Sequence, residues 1–371
     1  MNLTAVAERT APRSLSLVPR PDQPERWLAH HEPVSFDEAA SAVLDAHRAD
    51  GERSDVPVVD LRSWAFGSSD GESMELLRVP FPGRDPGRPL ALRELAFSQL
   101  CGRLGAPAGY VRDLPSKLQM ACLNWGLAQH RSPALLRLSG GEVRALLSDR
   151  YAAVDDEALL EMVSDCLDRS GFRDDVVVRA TSVGPHTLMR ITIPSEGTAV
   201  KVGDVIEHGI DIGNSELGLR SGQVTPVTYR LVCTNGMRAW RSESALRLRH
   251  IGDPARLHDQ LRDAIPVAFA EARGQLELWR RSVEVLIDNA LEEVESLRGL
   301  GFSKGEVAAV GQHLLPAESS AVSIEEALAG RRVAAFDVAN TITASARERS
   351  SVAARLLGEE VGHRYLSRRV A

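Results

Sequence analysis

Short segments in which apolar residues alternate with other residues fill the middle of the chain, and they constrain its fold more than any other feature. Six are present: Leu135–Ser139, Val143–Leu147, Val176–Thr181, Leu188–Ile193, Val205–Asp211 and Gln223–Cys233. A period of two is typical of strands. Joints such as Gly140-Gly141 are short, which favours antiparallel pairing. The pattern therefore predicts an antiparallel sheet core over residues 134–250.

Helical periodicity surrounds these strands. The segment from Ser35 to Glu38 is a capping box that predicts a helix to about His47, and Asp155 predicts the start of another that runs to about Ser170. We expect an α+β protein: a mainly antiparallel sheet with flanking helices and a helical C-terminal segment. Four regions are expected, namely a flexible tail (1–27), a helix-rich mixed region (28–133), the sheet core (134–250) and a helical region (251–371).

The first and last regions contain further start and stop signals. Val58 to Phe66 reads as a strand, after a polar segment at 50–55. One helix is predicted to stop at Gly105 and another to run from Ala108 to His130 with a break at Pro115. The C-terminal helices begin at Asp253-Pro254 and include two capping boxes, which start at Ser303 and Ser323.

Composition limits the class of protein. The 371 residues carry a formal net charge of −7, so nucleic-acid binding requires a local basic patch. The four cysteines are widely scattered, which argues against a zinc ribbon or a disulfide framework and favours a cytoplasmic location. No apolar run approaches the length of a membrane span, and no membrane partner is expected.

The most suggestive feature is a cluster of basic residues at the end of the sheet region. Its members, with one tryptophan among them, are Arg220, Arg230, Arg238, Trp240, Arg241, Arg247 and Arg249. Arginine together with an exposed aromatic side chain suits single-stranded nucleic acid, through phosphate contact and base stacking. The alternative is a solvated, structural connection between sheet and helices, with the tryptophan buried at the joint.

Strand alternation divides the residues of the last segment between two faces. Val227, Tyr229 and Cys233 share one face, interpreted as apolar, so Cys233 is predicted to be a core thiol. Arg230 lies on the other face, where it can hold a phosphate or pair with a carboxylate. Asn235-Gly236 is interpreted as a turn.

Metal and cofactor chemistry find little support in the sequence. Four polar residues, His208, Asp211, Asn214 and Glu216, could suggest a metal site, but Asp211 has the opposite strand parity from the other three. There is no P-loop, no GxGxxG after a strand and no HExxH. We therefore predict no metal and no cofactor, and the catalytic residues, if the protein is an enzyme, stay unassigned.

Several segments resemble a known family. They are RLGAPAGYVRDLP at 103–115, LLSDRYAAVDDEALL at 146–160, GNSELG at 213–218, TPVTYRLVCTNGM at 225–237 and ANTITASARE at 339–348. The chain resembles the phage- and plasmid-like family called domain of unknown function 932 over roughly residues 90 to 355. The resemblance implies a mobile-element setting and a role in nucleic-acid metabolism, and it assigns no catalytic residues.

These observations favour a nucleic-acid-binding accessory protein of mobile-element origin, of the single-strand-binding or annealing kind, which is not an enzyme. One alternative is a nucleic-acid-processing enzyme that uses residues around Asp211, Glu216 and Arg230. Another is a non-catalytic assembly or interaction module whose C-terminal helices form a homo-oligomer.

Overall fold

A computed structural model describes most of the chain. The described residues are 26–68, 74–78, 88–232, 235–239, 246–248, 250, 254–315, 323–349 and 351–370. The chain is an α+β protein, as its sequence predicts. It divides into two compact units, the first built from residues 45–153 and 217–219 and the second from residues 26–44, 154–216 and the described residues from 220 onward.

The chain begins with β1 (Arg26–Val34) and α1 (Phe36–Asp50), and β2 to β7 and α2 to α4 follow. The strands are β2 (Arg53–Val58), β3 (Trp64–Gly67), β4 (Glu75–Arg78), β5 (Ala91–Leu92), β6 (Ala134–Ser139) and β7 (Glu142–Leu147). The helices are α2 (Glu94–Leu104), α3 (Ala108–Arg112) and α4 (Ser116–Gln129). In the first unit, β2, β6, β7 and β5 form one sheet in that order, and β3 pairs with β4.

Turn and stop signals in the first unit are confirmed. Gly140 and Gly141 form the tight β6–β7 turn with φ of 58° and 84°. Gly105 ends α2 in the left-handed conformation, and the helical segment breaks at Pro115. The strand predicted from Val58 to Phe66 is wrong: β2 ends at Val58, and a 3₁₀ turn separates it from β3. Residues 53–55 are polar and were expected to form a turn. They belong to β2 instead, because they pair with β6.

The second unit contains the larger sheet. The strands after β7 are β8 (Val177–Val183), β9 (Thr187–Thr192), β10 (Thr198–Lys201), β11 (Asp204–Asn214), β12 (Gly222–Arg230), β13 (Asn235–Arg238), β14 (Leu246–Leu248), β15 (Leu286–Ile287) and β16 (Val333–Ala334). The helices are α5 (Asp156–Arg169), α6 (Pro254–Glu284), α7 (Ala290–Ser296), α8 (Lys304–Leu314), α9 (Ile324–Leu328), α10 (Ala335–Arg347) and α11 (Val352–Val370).

The strand order of the larger sheet is β1-β8-β9-β11-β12-β13, with β10 on β11 and β14 on β12. Every one of these pairs is antiparallel, as the short joints predict for the strands from β8 onward. Strand β1 was not predicted, and it includes Arg26 and Trp27 from the segment assigned to a tail. The rest of that tail, Cys233 and Asp253 lie outside the described residues.

One face of this sheet is apolar. Its core side chains include Val178, Ile191, Ile210 and Ile212, which pack with residues of α1, α5 and α6. The capping box of α1 is confirmed, because the Ser35 hydroxyl accepts from the Glu38 N–H. Cys166 of α5 is buried in this core. Burial raises the pKa of that thiol to about 11.

The C-terminal helices also follow several of the predicted signals. Helix α6 continues through Pro266 without a break. Ser303 and Glu306 form a reciprocal capping box at the start of α8, and the Ser323 hydroxyl accepts from the Glu326 N–H at the start of α9. Among the described helices, none combines the length and the apolar character needed to cross a membrane.

The opposite face of the larger sheet carries buried charges beneath α11. Arg190 of β9 is fully buried, and its Nε and Nη2 donate to Asp211 of β11 at 2.8 Å each. Its Nη1 donates to Glu359 of α11 at 3.1 Å. Tyr229 shares this face, with the Arg190 guanidinium 5.9 Å from its ring centroid. The face of β12 that contains Val227 and Tyr229 was predicted to be apolar, but it is the charged face. Its charges come from β9, β11 and α11, so the sequence of β12 alone does not reveal them.

The predicted turn at Asn235-Gly236 is wrong, because both residues belong to β13. Gly236 pairs with Tyr229, and a Cβ at this position would overlap the guanidinium of Arg190. Glycine is therefore required here by the close approach of a buried side chain.

We expect Gly236→Ala to lower the free energy of unfolding by about 2–3 kcal/mol, because the added methyl must displace Arg190 from its carboxylates. Gly274→Ala is the matched control, since Gly274 lies inside α6 with no other atom near its added Cβ. That variant should be neutral or more stable by up to about 1 kcal/mol. Urea denaturation of both variants measures the difference, and equal stabilities would contradict this account of Gly236.

Candidate anion-binding pocket

The four described arginines of the predicted cluster, Arg220, Arg230, Arg238 and Arg247, do not form one surface. Arg230 ends β12 on the face that carries Thr228, whereas Arg238 of β13 pairs with Val227 and lies on the charged face. Arg247 pairs with Gln223, seven residues before Arg230 and about 23 Å away along the strand. The described members of the cluster therefore separate into Arg230 and a second group, made of Arg220, Arg238 and Arg247, that lies near Glu360.

That second group surrounds Glu360 of α11. Arg238 is buried, and it donates to Glu360 at 3.0 Å and to the Thr225 hydroxyl at 2.9 Å. Arg220 and Arg247 are exposed. Burial raises the pKa of Glu360, and Arg238, Arg247 and Arg220 oppose that rise. Trp240, Arg241 and Arg249, the remaining predicted contacts, lie outside the described residues.

The four residues considered as metal ligands have other partners. Asp211 binds Arg190 and Arg238, and His208 lies 3.2 Å from Glu196 on the opposite face of β11, as strand parity predicts. The Asn214 amide donates to Asp156 at 2.7 Å. Glu216 accepts from the backbone N–H of Asp156 at 2.8 Å. These side chains therefore connect β11 and the segment after it to neighbouring elements.

Arg230, by contrast, lines a pocket of about 510 Å³ within the second unit. A cavity of this size falls in the range of small-ligand sites. It lies between the end of β12, the end of α8, β16 and one face of α10. The lining residues are Arg230, His313, Leu314, Arg331, Val333, Asp337, Asn340, Thr341, Ala344 and Arg347.

Helix α10 contributes half of this lining through a stripe at helical spacing. Asp337, Asn340, Thr341, Ala344 and Arg347 follow one another at intervals of one or three residues and share one side of the helix. Elsewhere α10 is mostly buried, and Ala339 and Ile342 pack in the core of the C-terminal helices. The stripe is therefore a largely polar side on a helix whose other residues are mostly apolar.

Arg230 is held in place from two directions. Its Nε lies 2.6 and 2.9 Å from the carboxylate oxygens of Asp204, and its guanidinium lies 5.4 Å from the ring centroid of Phe336. Lys201 contacts the same ring at 4.3 Å and binds Asp337 at 2.9 Å. The carboxylate pairing is one of the two alternatives that the sequence left open for Arg230.

The other basic side chains of the lining approach from separate elements. Arg331 lies just before β16, and its Nη1 donates to the carbonyl of Leu314 at 3.3 Å. Arg347, at the end of α10, is exposed. His313 lies 3.2 Å from Glu348 at the pocket edge. Among the lining residues that the structure describes, three arginines and one carboxylate give a formal charge of +2, which suits an anionic ligand.

The family match covers much of this site. Residues 144–341 match the family model described as Domain of unknown function (DUF932), which is more than half of the chain. The chain belongs to the DUF932 family. The match includes Arg230, Arg331 and Asn340, and it ends before Ala344 and Arg347. Comparison with curated proteins finds no match, and comparison with solved structures finds none.

Two of the five segments that resemble the DUF932 family meet in the pocket. Arg230 comes from the segment at 225–237, while Asn340, Thr341 and Arg347 come from the segment at 339–348. Sequence reasoning identified Arg230 and missed Arg331, because arginines that precede a short strand carry no local signal of a shared pocket. The stripe on α10 could have been found, since polar residues at i, i+3 and i+4 on an apolar helix are visible in the sequence.

Near the second arginine group, His186 is a buried group whose titration is expected to affect stability. Burial, together with Arg220 and Arg238, lowers the pKa of His186 to about 4. The folded state therefore favours neutral imidazole. This preference contributes fully to the stability of the fold at pH values above the ordinary histidine pKa of about 6.5. The contribution is lost as the pH falls from 6.5 through about 4.

We expect His186→Gln to weaken the pH dependence of unfolding, because glutamine does not titrate. Between pH 7 and pH 4 the wild-type protein should lose about 3 kcal/mol more unfolding free energy than the variant. Urea denaturation at several pH values measures this difference. Parallel pH profiles for the two proteins would contradict the assignment.

Proposed function

We propose that this DUF932 protein binds single-stranded nucleic acid and that the pocket around Arg230 holds its phosphates. The observation that carries the proposal is the convergence of Arg230, Arg331 and Arg347 from three separate elements. Guanidinium groups bind phosphate oxygens through paired hydrogen bonds. The accessory role in a mobile element, which the family resemblance implies, belongs to the same proposal.

Several features of the pocket support a phosphate ligand over a neutral one. Arg230 has one edge committed to Asp204, so its position is fixed before any ligand arrives. Arg347 and His313 are accessible at the opening. A chain with a formal charge of −7 concentrates positive charge here, which favours a local contact with a polyanion.

The first test measures binding of labelled single-stranded DNA and RNA of equal length across a salt series. Three phosphate contacts predict a log–log slope of roughly −2 for single strands. Arg220 and Arg247 are also predicted to contact the nucleic acid. A slope steeper than about −3 would indicate that these two arginines bind phosphates as well. Absence of binding at low salt would overturn the proposal.

Two adjacent arginines provide a matched pair of variants. Arg331→Ala removes a lining cation, and we expect affinity to fall about tenfold and the magnitude of the salt slope to fall by about 0.7. Arg332→Ala is the control, because Arg332 is exposed and pairs with Asp288 outside the pocket. Fluorescence anisotropy of both variants measures the difference. Equal losses in the two variants would show that general charge, not the pocket, is responsible.

The same mixtures distinguish binding from processing. Oligonucleotides incubated with the protein, with and without divalent ions, should remain intact if the protein only binds. Shortened products would instead support the alternative of a nucleic-acid-processing enzyme.

A further inference from the structure

Helix α4 of the first unit turns polar side chains inward and large apolar ones outward. Gln119 is buried, and its Nε2 donates to a backbone carbonyl at 2.6 Å. The Asn124 amide donates to the carbonyl of Phe66 at 3.0 Å and accepts from the N–H of the same residue at 2.6 Å. Trp125, by contrast, is 71% exposed, and Leu118 is 55% exposed. The fold of the unit therefore uses the amides of α4 and leaves these two apolar side chains in solvent.

The exposed apolar residues of α4 form a continuous stripe, the α4 stripe. Its members are Leu118, Ala121, Trp125 and Ala128. They follow one another at intervals of three, four and three residues, which places them on one side of the helix. The same spacing is used where a helix packs against a second helix. The other side of α4 is already packed, because Leu123 and Leu127 lie in the core of the unit.

The α4 stripe is almost free of charge. Lys117 is the only charged residue of α4, and it lies beside the stripe. Apolar patches bordered by polar residues are typical of protein interaction sites, and tryptophan is enriched among the side chains that dominate interface energies. Single-stranded nucleic acid instead requires several cations along its path. The stripe therefore fits a protein surface better than a polyanion.

We infer that the α4 stripe is a self-association surface, where two copies of this chain pair through antiparallel α4 helices. The stripe matches itself about its centre, where the small residues Ala121 and Cys122 let two helix axes approach to about 8–10 Å. A two-fold axis at this centre places Trp125 of each chain against Leu118 of the partner subunit. The surface lies in the first unit, not in the C-terminal helices that the sequence suggested for a homo-oligomer.

Charge and side-chain volume select the antiparallel direction. In a parallel pair the two Lys117 side chains would lie side by side, and both Trp125 rings would meet at one end and separate the helices there. In the antiparallel pair the two lysines are nine residues apart along the helix axis, or about 13 Å, where salt screens their repulsion. Each Lys117 then lies near Trp125 of the partner subunit, which allows a cation–π contact.

The association is expected to be weak, because the stripe is small. Its four residues per copy are far fewer than the roughly 20–30 residues a side of a standard interface. We therefore expect a dissociation constant on the order of 10 μM. Sedimentation equilibrium of the full chain from about 1 to about 500 μM should show a monomer–dimer equilibrium centred in that range.

Two variants compare the stripe with another exposed apolar side chain. Trp125→Gln should weaken dimerisation by at least about thirtyfold, because it removes the largest side chain of the surface. Val267→Gln is the matched control, since Val267 is 55% exposed on α6 of the second unit. That variant should dimerise as the wild-type chain does. Thermal melting of both variants establishes that they are folded.

A mixing experiment tests the antiparallel direction. Leu118→Glu adds a negative charge in the first turn of α4 and Trp125→Lys adds a positive charge near its end, so both suit the helix dipole. Each variant alone should be monomeric. An equal mixture should associate, because the introduced carboxylate faces the introduced ammonium while the contact between Trp125 and Leu118 remains at the other end.

Several outcomes would overturn the inference. One is a wild-type chain that stays monomeric at the highest concentration, and another is a dimer that persists in Trp125→Gln. A mixture that associates no better than its separate components would exclude antiparallel pairing. If Trp125→Gln leaves sedimentation unchanged and weakens binding of single-stranded DNA, the stripe contacts nucleic acid, which overturns the inference as well.

Discussion

The ion pairs of Arg190 with Asp211 and Glu359 are the interaction on which the second unit depends. All three side chains are at most 1% exposed. Although burial acts against the charged form, the two carboxylates raise the pKa of Arg190 well above its ordinary value. A buried charge that loses its partner is strongly destabilising, so each group requires the others. The network joins β9, β11 and α11 and closes the charged face of the sheet.

This network also determines where the pocket forms. Glu359 fixes α11 over the sheet, and α11 in turn packs closely against α10, because a Cβ at Gly358 or Gly362 would overlap Ala346 or Thr343. With α10 fixed in this way, its polar stripe lies beside Arg230 at the end of β12. The charged layer and the pocket are therefore two results of the same helix packing, although they lie on different faces of the sheet.

Local signals in the sequence were sufficient for most of the elements. The Gly140-Gly141 turn, the capping box at Ser303 and the break at Pro115 each depend on residues within four positions of one another. Errors arose where a distant partner decided the outcome. Residues 53–55 form part of β2 because they pair with β6. Position 236 of β13 requires glycine because the guanidinium of Arg190 occupies the space of a side chain.

The candidate site was predictable only in part for the same reason. Arginines close together in the sequence lie far apart, because successive residues of a strand point to opposite faces and each adds about 3.3 Å. Arg230 and Arg238 thus belong to different environments, one beside Asp204 and the other between Asp211 and Glu360. The cations that share a pocket with Arg230 are about 100 residues further along the chain. Arginines that are close in the sequence indicate that a segment is basic, whereas the fold decides which of those arginines lie together.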